Sequence, residues 1–356
     1  MERKKKLKKN IINLIIFILL IILTFYIVLK DQDISQMIQI VRNAKKKFIL
    51  IGVALMLMYF SCEAINVGRI LKELGEKSSF VRNFRYTLIG FFFSAITPAA
   101  SGGQPMEVYY MHKDKISVAN STLTLLMQLC SYQIVTLTFG IISAVIHFDV
   151  LKNGLIYLFI LGIVLNSSAL GLFLIAIFSH RLSEGLVKLF VKILKFFRVK
   201  NIEEKQEKIE KELESYQGSA KYIKAHKLLM LKTVATTLVQ MLIYYSIPYW
   251  VYLSFGFTEQ NIWQILTLQA VLYATVSGIP SPGAVGVSEG GFMGIFKNVF
   301  PQSVIGSAMI LNRGINFYLF VILSAILAMV STFRDRKEII KEIIKEKNTE
   351  DIIEKQ

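Results

Sequence analysis

The chain has 356 residues, of which 54% are hydrophobic, and a mean hydropathy of +0.51, values that belong to a membrane protein and exclude a chain of two or three soluble domains. Lysine and arginine (41) outnumber aspartate and glutamate (25), and the net +16 sits in polar blocks beside nearly uncharged runs. Such a pattern suits contact with anionic lipid head groups and excludes a folded basic face for nucleic acid.

Residues 1–10 form a basic N-terminus, and Ile11 to Leu29 follow without a charge. That run spans about 28 Å as a helix, close to the thickness of the hydrocarbon core. No small-x-small site precedes Lys30-Asp31, so the segment reads as an uncleaved first anchor with its basic end in the cytoplasm. Asp33 to Lys47 sets Ile34, Met37, Ile38 and Val41 at helical spacing, which predicts a short amphipathic helix lying on the membrane. Phe48 to Asn66 is the next span. Arg69, Lys72, Lys77, Arg82 and Arg85 then fall in one connection with a cytoplasmic signature. Phe84 to Ile96 is apolar for only half a bilayer and runs into Thr97-Pro98-Ala-Ala-Ser101-Gly102-Gly103-Gln104-Pro105, a stretch read as unable to continue a helix.

Ser117 to Phe148 and Gly154 to Phe178 are two further spans, with Cys130 inside the first of them as Cys62 lies inside the earlier one; neither cysteine gives a redox compartment. From His180 to Lys227 twelve lysines and arginines mark a cytoplasmic block, in which Lys188 to Lys200 alternates cations with an apolar face. Leu228 to Phe255 spans again, with a kink expected at Pro248. Ile262 to Ile279 breaks at Pro280-Ser281-Pro282-Gly283-Ala-Val-Gly286-Val-Ser288-Glu289, and Val304 to Val330 is the last span. Arg334 to Gln356 reads as a solvated charged helix. The expected organisation is a basic cytoplasmic segment (1–10), a membrane half (11–178) with a broken segment at 84–111, basic interfacial helices (179–227), a second membrane half (228–330) broken at 262–300, and a charged cytoplasmic tail (331–356). The fold class is all-α and polytopic, with about six full spans and two broken re-entrant hairpins.

Pro98 to Glu107 and Pro280 to Glu289 have the same separation, which suggests an internal repeat. Backbone that leaves a helix at membrane depth is tolerated where it is buried in protein or lines a wet cavity, so breaks at matching places in two halves point to a transport or binding site. The charges orient the halves oppositely, one hairpin dipping from inside and the other from outside, with both termini cytoplasmic. Lys30, Arg42, Lys45, Lys46 and Lys47 fall outside in this topology, a smaller violation than displacing the block of twelve.

Glu63, Glu107, Glu289 and Arg313, the last flanked by Asn312 and Asn316, are ionisable or polar groups inside predicted membrane segments. A lone charge at mid-membrane costs roughly 3 kcal/mol or more, so each needs a partner. An arginine fork suits a phosphate, and the site expected here joins Arg313 to the hairpin acids; pairing of Arg313 with one glutamate as structural glue is the plainer alternative. Pro98, Ser101, Gly102, Gly103, Gln104, Pro105, Pro280, Pro282, Gly283 and Gly286 make the broken-helix motifs, and Gly286, Gly290 and Gly294 have the small-xxx-small spacing of close helix packing. Asp31 and Asp33 are an ordinary acidic pair, and His112, His147, His180 and His226 stand at no metal spacing. No nucleotide loop is present, and neither a metal nor another cofactor is expected.

The stretch Gly90 to Glu107 together with Ile279 to Glu289 resembles the lysylphosphatidylglycerol synthase transmembrane family, the flippase-like membrane part of the multiple peptide resistance factor, from about Ile11 to Val330. The resemblance implies a multi-pass protein of a bacterial-type plasma membrane that moves a lipid, lysylphosphatidylglycerol in the full-length factor, between leaflets in cationic-peptide resistance. The family carries a phosphatidylglycerol lysyltransferase label, but only 26 residues follow Val330, so no aminoacyl-transfer domain and no nucleic-acid partner are expected. Expected partners are a membrane phospholipid, anionic head groups, a separate lipid-synthesising enzyme and further copies of the chain. A membrane transferase, including a polyprenol-dependent glycosyltransferase, and a secondary transporter of a small anion stay open as alternatives.

Overall fold

The computed structural model describes residues 34–97, 100–152, 154–179, 185, 214–222 and 224–331. The first anchor, Pro98, the Lys188–Lys200 segment and the charged tail lie outside the described residues. All described regular elements are helical: α1 (Ile34–Asn43), α2 (Lys46–Glu73), α3 (Phe80–Ala95), α4 (Gly103–Lys113), α5 (Val118–Ile146), α6 (Leu155–Phe178), α7 (Lys227–Ser254), α8 (Ile262–Val276), α9 (Val287–Ile295) and α10 (Ile305–Ser331). Five of them, α2, α5, α6, α7 and α10, are long and apolar enough to cross a membrane, and α8 is a shorter apolar helix.

α2 runs beyond the expected limit at Asn66, so Arg69 and Lys72 are helical and not part of a loop. Two things carry it onward. Val67, Ile70 and Leu71 continue the buried stripe of Phe60 and Ala64, and Arg69 finds Asn66 Oδ1, Lys232 O and Thr236 Oγ1 at 2.8–3.0 Å. The helix stops where Gly75 takes φ +77° and its N–H and that of Glu76 turn back to the carbonyls of Lys72 and Leu71, a left-handed cap that favours glycine. Ser79 then caps α3 through Arg82 N, which starts that helix before Phe84 and makes Arg82 and Arg85 helical as well. Gly103, Gln104 and Pro105, read as helix-breaking, instead form the first turn of α4. Proline is tolerated there because the first four N–H groups of a helix have no intrahelical acceptor. α7 continues unbroken through Pro248.

The bundle has two distinct ends. At one, Glu76 Oε1 accepts from Ser117 N (3.2 Å) and Asn120 Nδ2 (2.8 Å), Ser219 donates to Asn120, and Tyr222 donates to Glu73. This end gathers the α2–α3 connection, the α4–α5 turn and the approach to α7. At the other, Lys45 N donates to Ser254 O (2.8 Å), His147 Nε2 meets Thr267 Oγ1 (2.7 Å), and α1 packs against α10. That end gathers the α1–α2 elbow, the α5–α6 link, the end of α7 and the starts of α8 and α10; the surface-lying helix expected from Asp33 to Lys47 is thus packed on protein along part of its length.

α3 packs on α4, and α8 on α9. The first pair opens toward one end of the bundle and the second toward the other. Their broken tips meet between: Ala95, Ile96 and Val285 join Phe317 and Val321 of α10 in one buried cluster, and the turn Pro282–Ala284 packs against α3. Large apolar side chains such as Leu50, Val145, Tyr157, Leu172, Ile322 and Val330 stay exposed on the outside of the long helices, as hydrocarbon solvent allows.

Close approach through small residues occurs, but away from the expected stripe. A side chain at Gly162 of α6 would run into the carbonyls of Ala274 and Thr275 on α8, and one at Gly140 of α5 into the Ala274 methyl. Gly290 faces open space and Gly294 makes only ordinary contact with Leu155, so the Gly286, Gly290, Gly294 spacing is not a packing seam. Gly286 is required by its φ of +89°, and Gly291 is the member of α9 pressed against Leu272.

Candidate functional site

The second broken segment is fastened by a buried ion pair. Pro282 opens a short turn, Gly283 and Ala284 follow with φ +58° and +52°, and Gly286 starts α9. Glu289, the third residue of α9, accepts from Gly286 N at Oε2 (2.8 Å) and so caps its own helix. Its Oε1 accepts from Arg313 Nε (2.8 Å) and from Tyr318 OH (3.0 Å). Arg313 Nη2 reaches Gly283 O (3.0 Å), and the guanidinium lies 4.1 Å over the Phe317 ring. The two charged side chains are 5% and 0% exposed, so this pair is desolvated on all sides.

Arg313 ends the first α-helical stretch of α10, and a π-turn at Gly314–Tyr318 follows it. The wider turn brings both Phe317 and Tyr318 to the same guanidinium. Substitution of Gly283 would run into the Phe317 ring, so glycine is needed there both for its positive φ and for this contact. Asn312 and Asn316 are buried beside Arg313 in the chain, but neither Oδ1 has a hydrogen-bond partner. Pro280 is exposed just before the turn.

The first broken segment carries a different centre. Thr97 Oγ1 donates to Phe93 O (2.6 Å) and accepts from Gly102 N (2.9 Å), closing the tip through Ser101. A side chain at Gly102 would run into Thr97, and one at Gly103 into Ser94 and the Gly90 carbonyl, so these glycines let α4 fold back tightly on α3. Glu107 sits in the second turn of α4 with its carboxylate against the bare backbone of Gly90, and its Oε2 has no hydrogen-bond partner. Arg313 does not pair with it. The expected single cluster of Arg313 with both hairpin acids is therefore divided, because α4 and α9 approach the middle from opposite ends.

Glu107 instead lies within electrostatic reach of Glu63 on α2, whose Oε2 accepts from Gln240 Nε2 of α7 (3.2 Å). One turn before Glu63, Tyr59 OH meets Tyr132 OH (2.8 Å), which accepts from Tyr273 OH (2.8 Å). Tyr244 stands between the centres, with its ring 5.5 Å from those of Tyr59 and Tyr273 and its hydroxyl within reach of the Arg313 and Glu289 charges. Sequence reading missed Gln240, Tyr318 and the tyrosine chain. The tyrosines come from α2, α5 and α8, so no spacing along the chain announces them.

The arrangement joins two oppositely placed, non-helical tips to one buried polar column. The family model described as "Lysylphosphatidylglycerol synthase TM region" matches residues 10–324. A "UPF0104 membrane protein" from Archaeoglobus fulgidus is 22% identical over 314 residues, an alignment covering 83% of this chain and 90% of that protein.

Proposed function

The chain belongs to the lysylphosphatidylglycerol synthase TM region family of multi-pass membrane proteins, and from that premise we propose that it moves a phosphate-bearing phospholipid between the leaflets of a bacterial-type plasma membrane. Lysylphosphatidylglycerol, supplied by a separate synthesising enzyme and linked to cationic-peptide resistance, is the first lipid to test. α3–α4 and α8–α9 act as re-entrant hairpins that dip from opposite faces, beside the five long apolar helices of the described residues, with both termini cytoplasmic. The observation that carries the proposal is the meeting of the two tips, Ala95 and Ile96 with Val285, between helix pairs that open toward opposite ends of the bundle. A carrier of this design exposes one centre to each face in turn.

The head-group site lies at that junction. Arg313 keeps guanidinium N–H groups beyond those bonded to Glu289 and Gly283, and parting of the tips turns them toward a phosphate. Glu63 and Glu107 offer negative charge to a cationic substituent of the head group, with Asn312 and Asn316 adding unpartnered acceptors. Lysine in place of Arg313 would keep the charge and lose the fork.

The test is purified full-length protein in liposomes holding fluorescent phosphatidylglycerol, lysylphosphatidylglycerol or phosphatidylcholine in both leaflets, followed by an impermeant quencher. Protein-dependent loss of the protected inner-leaflet fraction is the expected result. Full protection of every lipid, combined with uptake of a radiolabelled small anion, would replace lipid movement by anion transport. Formation of lysyl-lipid by the chain alone would restore the transferase alternative.

A further inference from the structure

We propose that Glu63 and Glu107 share one exchangeable proton, delivered along the Tyr273–Tyr132–Tyr59 hydroxyl chain, and that its gain and release accompany each movement of the hairpins. The coupling presupposes the lipid-moving function above; the occupancy of the pair by a proton does not.

The pair lacks any fixed counter-charge. Among the described residues neither acid forms a salt bridge, and the buried cation Arg313 already faces Glu289. Two carboxylates within reach of each other in a low-dielectric core repel strongly, whereas one proton removes a full negative charge from the pair. The hydrogen bonds show the same deficit. Glu107 Oε2 and Gln240 Oε1 are buried acceptors without a donor, and Gln240 is the residue whose amide N–H already holds Glu63. What the cluster lacks is a donor, and a proton supplies one.

The available space selects the ligand. Glu107 rests on Gly90 so closely that even a methyl group there would collide with its carboxylate, so no ligand larger than a proton fits on that side of it. The ligand set for a metal is likewise missing, since no three His, Cys, Asp or Glu side chains among the described residues approach one another as ligands would.

A line of hydroxyls runs from within electrostatic reach of Glu63 toward the second hairpin. Tyr59 lies one turn from Glu63 on α2, and its hydroxyl is 2.8 Å from that of Tyr132, which is 2.8 Å from that of Tyr273 on α8. Tyr273 precedes by one turn the point where α8 ends at Val276. Within electrostatic reach of Glu63 are Tyr59 from α2 and Tyr273 from α8, whose hydroxyls Tyr132 from α5 bridges; from α7, Tyr245 lies beside Tyr273, and Tyr244 stands between these rings and the Arg313–Glu289 pair. α3 contributes Gly90 to the acids, while its Tyr86 is engaged with Asp114. The step balances simply: a hydronium ion gives its proton to the carboxylate pair and leaves as water, and release to water reverses it.

The full chain in liposomes is read by infrared difference spectroscopy between acidic and alkaline buffer, in water and in deuterium oxide. The expected result is a carbonyl band of a protonated carboxylic acid that shifts in deuterium oxide, changes position in Glu63→Gln and in Glu107→Gln, and is lost when both are replaced. In the same vesicles a trapped pH dye should report proton movement with lipid movement, and lipid rate should change with pH, by up to about tenfold per pH unit where occupancy limits it. Tyr132→Phe should keep the band and slow both movements. Absence of the band in the wild-type chain overturns the shared proton, and a band with lipid movement that is insensitive to pH and without proton flux overturns the coupling. A titrating band in a chain that moves no lipid supports the shared proton and removes the lipid function instead.

Discussion

Replacing Arg313 with glutamine is expected to cost about 3–5 kcal/mol of stability, because Glu289 would be left as a buried charge without its partner. The local structure gives the loss a definite place. Glu289 joins Gly286 N, Arg313 Nε and Tyr318 OH, and Arg313 joins Gly283 O, so one pair ties the tip of the second hairpin to α10. Adding Glu289→Gln should recover most of the stability, since the double variant removes both charges and the introduced amide keeps an oxygen for Gly286 N. Lipid movement should stay lost in the double variant. Thermal unfolding in detergent and leaflet accessibility in liposomes read the two effects separately. A double variant that is stable and moves lipid at the parental rate would make Arg313 a structural latch alone, whereas Arg313→Lys should insert normally and move lipid slowly.

Gly90→Ala is the second large effect. Its methyl group would overlap the Glu107 carboxylate, which cannot retreat while α4 is held close to α3 through Gly102 and Gly103. Overpacking of this kind costs typically about 1–3 kcal/mol, and here it also displaces a charged group from its place beside Glu63. Combining Gly90→Ala with Glu107→Ala should restore the melting temperature by removing the collision, without restoring lipid movement. If Gly90→Ala alone melts and moves lipid like the parent, the close contact between α3 and α4 is wrong.

The long helices were legible because each is an unbroken apolar run bounded by a polar stop. Val118–Ile146 and Leu155–Phe178 differ by at most two residues per end from the expected spans. α2 overran its predicted limit because the acceptors that let Arg69 stay helical, Lys232 O and Thr236 Oγ1, belong to α7 and are distant in the chain. The breaks were visible in proline and glycine, yet the return helix of the first begins at Gly103, where a first-turn proline costs no hydrogen bond.

The candidate site was legible as a set of residue types and not as a set of pairs. A buried arginine must find an acid, and it finds Glu289; that Glu107 turns to Glu63 instead depends on which end of the bundle each helix pair enters. The π-turn at Gly314–Tyr318 has no sequence pattern comparable to a helix cap, and Tyr318 was invisible for that reason. Likewise the Tyr59–Tyr132–Tyr273 chain exists only once α2, α5 and α8 are packed together.

A lipid that crosses where the hairpin tips meet requires those tips to part and close again on each passage. Ile96 and Val285 lie in the same buried cluster, so cysteines placed at both positions, with Cys62 and Cys130 replaced, can be joined across the junction by disulfides, directly or through a short dithiol, made by oxidation and removed by a reductant. Leaflet accessibility of a fluorescent phospholipid is then followed in one batch of liposomes before oxidation, after it, and after reduction. Movement is expected before, arrest while the bridge is closed, and recovery on reduction; lipid movement undiminished with the bridge fully formed would show that the tips need not part.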